Sequence, residues 1–215
     1  MTYAVKEMFL TVQGEGVRAG TVAVFLRFTG CNLWSGLERD RATAVCRFCD
    51  TDFVKTDGVN GGKFATAEAL ADAVATLWLG VGERWVVCTG GEPLLQLDTG
   101  LIAALHARGF KIAVETNGTI AAPEGIDWLC VSPKANAPLV QTSGDELKLV
   151  YPQAENVPED FTHLDFAHFC LQPRDDSYLG PNTQKATHSD AAFAYCLAHP
   201  VWRLSVQTHK AINVP

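Results

Sequence analysis

Residues 30–53 read GCNLWSGLERDRATAVCRFCDTDF and carry three cysteines, Cys31, Cys46 and Cys49, with fourteen residues in the first gap and two in the second. Gly, Asn, Ser, Arg and Asp surround them, which marks a loop. Three thiols on one loop have the pattern of a metal site. A structural zinc site is closed by four Cys or His ligands. The loop has no histidine, and all six histidines stand at position 106 or later, so zinc would need a ligand from elsewhere in the fold. An iron–sulfur cluster matches the count better: three thiolates hold three irons and leave a fourth open to a small molecule. A surface loop with incidental thiols is the remaining alternative. The other four cysteines sit among apolar neighbours, in WVVCTG (Cys88), WLCVSP (Cys130), FCLQP (Cys170) and AYCLA (Cys196), where free cysteine behaves as a small core residue.

A loop of this kind needs strands and helices to hold it. Short apolar runs recur at 21–30, 84–90, 111–118, 128–133, 146–151, 168–173 and 202–208. Most are nearly continuous rather than alternating, as in the strands of a parallel sheet. Helical patterns lie between several of them. In 66–79, Leu70, Val74, Leu77 and Trp78 share a face and Thr66 can cap the start. In 96–108, Leu97, Leu101 and Leu105 recur every four residues, and Gly109 can end the helix. Residues 189–198 are a third helix candidate. Alternating strands and helices predict βαβ units. Seven strands and three helices are too few for a closed eight-stranded barrel, so an incomplete (β/α) barrel is expected. The segments TGGEP, ETNG, SPK, LQP and QTHK cluster where strands should end. In parallel α/β folds ligand sites gather on that rim.

The chain has 215 residues, 47% hydrophobic and 19% charged, which fits one globular domain over 1–215. No apolar run is long enough to cross a bilayer. The first residues, MTYAVKEMFLTVQGEG, lack the basic-then-apolar order of a signal peptide. A cytoplasmic protein with reduced thiols is expected. The net charge of −7 argues against a broad nucleic-acid-binding face and leaves room for a small basic pocket.

GCNLW…CRFCDT resembles the cysteine motif of the radical S-adenosylmethionine (SAM) enzymes, and TGGEP at 89–93 resembles their glycine-rich segment after the second strand. The usual motif has three residues in the first gap, so the insert LWSGLERDRATAV is a departure. TVQGEG at 11–16, LRFTGCNL at 26–33, CDTDF at 49–53, ETNGT at 115–119, SPK at 132–134, ELKLV at 146–150 and LQP at 171–173 together resemble a narrower group. It is the 7-carboxy-7-deazaguanine synthase family of queuosine and deazapurine biosynthesis, and the likeness covers nearly the whole chain.

The resemblance implies a truncated barrel of the radical SAM type. It implies a 4Fe-4S cluster on Cys31, Cys46 and Cys49 whose open iron binds SAM, and Mg²⁺ near Thr51. For SAM it implies Phe48 and Asp50 near the nucleoside, Gly90 and Gly91 at the methionine end, and Glu92 toward the ammonium. Asn117, Ser132, Pro133, Lys134, Gln172 and Pro173 complete that set. The implied substrate is 6-carboxy-tetrahydropterin, a small molecule with a carboxylate at one end and an aminopyrimidinone at the other. Arg27 can grip the carboxylate bidentately. Val12, Gln13, Gly14, Glu15 and Thr89 border the same space, and the two glycines of QGEG would let backbone approach the flat ring. His209 and Lys210 are further candidates for the carboxylate, and Glu15 or the carboxylate of Pro215 for the amino edge. An electron donor such as flavodoxin or ferredoxin and a homodimer are implied as partners. Two other readings stay open: a radical SAM activase of a glycyl radical protein, and a zinc-stabilised binding module.

Overall fold

The computed structural model describes residues 2–175 and 185–214. Nine strands form one sheet: β1 (Tyr3–Val12), β2 (Val22–Phe28), β3 (Gly62–Phe64), β4 (Arg84–Gly90), β5 (Phe110–Thr116), β6 (Trp128–Val131), β7 (Ser143–Tyr151), β8 (Asp165–Pro173) and β9 (Trp202–Leu204). Their order is β3-β1-β2-β4-β5-β6-β7-β8-β9, with β3 and β9 at the edges. β2 and β4 to β9 run parallel; β1 pairs antiparallel with β2 and β3. The sheet does not close, and the fold is a partial (β/α) barrel. All seven expected strands are present and parallel. β1 and β3 are additions. A register shift between Val5 and Glu7 breaks the alternation in β1, so Tyr3, Val5 and Met8 share the buried side without an even spacing.

The expected helices form with small shifts. Thr66 accepts from the Ala69 amide at 3.2 Å and starts α1 (Ala67–Leu77). α2 (Thr99–Ala107) begins three residues later than the leucine spacing implies, because Pro93–Leu95 makes a separate 3-10 turn and Asp98 caps the helix proper. α3 runs over Lys185–Ala198. β9 stops at Leu204, and a short α4 (Thr208–Ile212) takes the rest of the predicted strand. Among the described residues, no helix is long and apolar enough to cross a membrane.

The two faces of the sheet differ. Val24, Leu26, Phe28, Val86, Cys88, Ile112, Val114, Leu147, Leu149 and Leu171 pack against the helices as the main core. The opposite, concave face changes along each strand. Its floor is apolar: Ala23, Trp85, Val87 and Ala113 form a second cluster, with Phe25 and Trp128 against it. The Arg18 guanidinium lies 3.4 Å from the centre of the Trp85 ring. Toward the strand ends the same face turns polar with Arg27, Thr89, Glu115, Lys148 and Gln172. The open side of the barrel is bridged by loops: Gly14 carbonyl accepts from the amide and hydroxyl of Thr208, both at 2.9 Å, and Gly16 amide donates to Ser205 Oγ at 2.8 Å.

Candidate active site

A cavity of about 450 Å³ opens at the carboxyl ends of the parallel strands. Cys31, Cys46 and Cys49 all line it. The insert between the first two is folded rather than extended. Glu38–Thr43 makes a 3-10 turn, and Trp34 is buried edge-on to Phe53 with ring centres 5.6 Å apart. The Leu33 amide donates to Cys31 Sγ at 3.4 Å, the type of contact that tunes a cluster sulfur. Burial pushes the Cys31 thiol up and the Cys49 thiol up to about 11, so a cation is needed to draw out the thiolates. Among the described residues no three His, Cys, Asp or Glu converge as one metal ion would need. Three thiols on one cavity have the ligand type and count of a cluster held by three thiolates. Cys88, Cys130 and Cys170 are buried in the sheet, their thiols raised by burial, and Cys196 is half-buried on α3.

Of the residues proposed for SAM, Phe48, Asp50, Gly90, Gly91, Asn117, Ser132, Lys134, Gln172 and Pro173 line the cavity. Lys134 Nζ donates to the carbonyl and hydroxyl of Ser132 at 2.6 and 2.7 Å. Among the described residues it has no carboxylate partner, which leaves its charge for an anion. Two expectations are corrected. Glu92 does not reach the cavity: it is fully buried, and its carboxylate accepts from Leu94 amide, Thr116 hydroxyl and Asn117 amide. It fastens the end of β5 to that of β4. Pro133 is buried behind the rim, its carbonyl held by Asn156 at 3.2 Å. Gly91 earns its place through crowding within the protein, since a Cβ there would fall on the Gly30 carbonyl next to Cys31.

The other end of the cavity is built on charge. Lys148, buried in mid-strand, reaches Glu15 and Glu115, each at 2.8 Å, and Gln13 donates to the second oxygen of Glu115 at 3.0 Å. Burial would lower the Lys148 pKa, but the carboxylates hold it well above the usual value. Burial would raise Glu15, but Lys148, Gln207 and His209 bring it down to about 2. Val12, Gln13, Gly14, Glu15, Arg27, Thr89, His209 and Lys210 all border this end. Arg27 Nε pairs with Glu7 at 2.8 Å, and among the described residues its terminal nitrogens have no partner. Gly14 also serves packing, since a Cβ there would fall on the His209 imidazole. Lys210 lines the cavity with its charge shared between Asp50 at 2.6 Å and Asp175 at 2.7 Å. Pro215 lies outside the described residues.

Thr51 lines the cavity, and among the described residues its hydroxyl makes no hydrogen bond. The segment after it is clamped by Lys6, which reaches Asp52 at 2.8 Å, Asp57 at 2.7 Å and the Val54 carbonyl at 3.1 Å. Sequence reasoning missed Lys6, Glu7, Glu115 and Lys148 as site residues. A lysine inside the apolar run ELKLVY and a glutamate at the end of KIAVE were the available signals. Asn32, beside Cys31, was missed too; it accepts from Asn117 at 3.0 Å and donates to Thr119 at 2.7 Å.

No family model matches the chain. A 7-carboxy-7-deazaguanine synthase of Caulobacter vibrioides is 68% identical over 216 residues, with both chains covered completely. One from Bordetella pertussis is 61% identical over 219 residues, again over the whole of both. The crystal structure of QueE from Escherichia coli superimposes with a TM-score of 0.70 at 28% identity, covering 97% of this chain and 95% of that one.

Proposed function

The chain belongs to the 7-carboxy-7-deazaguanine synthase family, a family of lyases in queuosine biosynthesis, and from that premise we propose that residues 1–215 act as one radical SAM domain on 6-carboxy-5,6,7,8-tetrahydropterin. The observation that carries this reading is one cavity lined both by three thiols and by a buried cation held between two carboxylates. An iron–sulfur cluster, with SAM bound and one electron from an external donor, would supply radical chemistry for hydrogen abstraction, with ring contraction and loss of ammonia following. Cys31, Cys46 and Cys49 hold that cluster. Lys134 takes the SAM carboxylate, and Asn117 and Gln172 orient polar atoms beside it.

The protein's own residues set the substrate pose. Arg27, fixed through Nε by Glu7, presents its two terminal nitrogens to the pterin carboxylate. Glu15, kept ionised by Lys148, accepts from the amino edge. The test is anaerobic reconstitution with iron and sulfide, then incubation with SAM, reductant and carboxytetrahydropterin. The expected product is 7-carboxy-7-deazaguanine by mass spectrometry. A reconstituted protein that cleaves SAM but leaves the pterin intact would defeat the proposal. The electron donor fits a flavodoxin or ferredoxin. The homodimer reading draws on the family likeness; Leu204 of β9 and Phe193 and Leu197 of α3 are exposed apolar residues.

Two variants probe the pose. Arg27→Ala is expected to raise KM for the pterin by well over tenfold, since losing one partner of a buried charged contact costs about 2–5 kcal/mol. SAM affinity should hold, and an unchanged KM would reassign the carboxylate to His209. Thr51 offers a hard oxygen to Mg²⁺, with substrate oxygens and water completing its shell. Turnover should rise with added Mg²⁺ in the parent protein and respond weakly in Thr51→Ala, with SAM binding largely kept. The same magnesium response in both proteins would remove the hydroxyl from the metal's shell.

A further inference from the structure

We propose that Arg41, inside the fourteen-residue gap, is the positioning residue that braces the Cys46–Cys49 turn and sets a fixed positive charge against it. The inference rests on the cluster reading of the three cysteines. Arg41 is 15% exposed at its side chain, whereas Arg39 two residues earlier is 80% exposed. Its Nη1 donates to the carbonyls of Arg47 and Cys49, each at 3.0 Å, so one nitrogen ties the residue after Cys46 to Cys49 itself. Nε donates to both oxygens of Glu38 at 2.9 and 2.8 Å, which orients the guanidinium plane. That plane lies over the buried Trp34 ring, 4.2 Å from its centre.

These contacts make the insert a working part of the site. A short first gap would hold the cysteines together through local chain geometry alone. A fourteen-residue gap does not, and the distal two thiols need another tie to the rim. Arg41 supplies it through a planar fork that donates to two carbonyls and a flat face that stacks on Trp34, two features that lysine lacks. A permanent cation next to an anionic cluster also favours the reduced form, because net charge and hydrogen bonding near the sulfurs set the potential.

The experiment compares the reconstituted parent protein with Arg41→Lys, Arg41→Ala and Arg39→Ala. Two quantities are read: the rate of iron release to a ferrous chelator, and the EPR spectrum and midpoint potential of the reduced cluster. Arg41→Ala should release iron about tenfold faster or more, the scale of one lost charge-assisted hydrogen bond, with a lower potential. Arg41→Lys should keep the potential closer to the parent yet still release iron faster and shift the EPR spectrum. Arg39→Ala should match the parent. If Arg41→Ala fails to fold, Arg41→Lys decides alone. Parent-like iron release and EPR in Arg41→Lys would overturn the brace while leaving the cluster reading intact. A parent protein that takes up no cluster would overturn the cluster reading and the brace with it.

Discussion

Alanine at Cys31, Cys46 or Cys49 is expected to abolish iron loading and with it all turnover, while Cys130→Ala keeps both. The three loop thiols line one cavity, and among the described residues no other cysteine lines it, so no other thiol replaces a lost sulfur. Cys130 faces a different environment. It is 1% exposed within β6, and burial pushes its thiol well up, as for an inert core cysteine. The measurement is iron per chain and the visible spectrum after anaerobic reconstitution. Full iron loading in any of the three loop variants would sink the assignment. The Cys130→Ala control separates loss of a ligand from general damage, because Cys130 is a buried thiol that does not line the cavity.

Lys148→Met is expected to cost about 3–5 kcal/mol of folding stability at pH 7, the usual result of removing one partner from a buried ion pair. Methionine fills a similar volume but leaves Glu15 and Glu115 facing each other across the space Lys148 occupied. The loss should depend on pH. In the parent protein Glu15 titrates at about 2 rather than 4.5. A depressed carboxyl stabilises the fold above its ordinary pKa and loses that contribution as pH falls toward the depressed one. In the variant, burial acts on Glu15 with no cation to oppose it, so its folded pKa lies above the ordinary value. Such a group destabilises the ionised fold at neutral pH and is relieved as pH drops and it protonates. The gap between the two proteins should therefore narrow from pH 7 to pH 5 in urea unfolding. Equal gaps at both pH values, or a loss within the roughly 0.5 kcal/mol typical of surface changes, would show that the lysine does not neutralise this site. Pterin turnover should fall as well, because Glu15 would no longer be held ionised at the cavity.

Much of the metal chemistry was legible in one stretch of chain. Three thiols in a polar loop with no local histidine favour an iron–sulfur cluster over zinc, and the fold places all three on one cavity. The parallel strands were legible for a similar reason. Runs such as WVVCTG and KIAVE are buried on one side by helices and on the other by the floor of the barrel, so their apolar character shows in sequence. Most rim residues followed, since strand ends in this topology converge on one opening.

Which rim residues face the ligand was decided by tertiary structure. Glu92 and Lys210 look available in TGGEP and QTHK, yet one is buried against the end of β5 and the other bridges two aspartates from distant loops. Gly14 lies in a segment suited to ligand approach, but His209 from beyond β9 fills the space beside it. The charge cluster on the cavity depends on Glu15, Glu115 and Lys148, which no local spacing connects. By itself the sequence determined the elements and which loop carries the candidate ligand thiols, because both depend on neighbours along the chain. The partners of each charged side chain were settled only by the fold, because an ion pair forms wherever the sheet brings opposite charges together, whatever their separation in sequence.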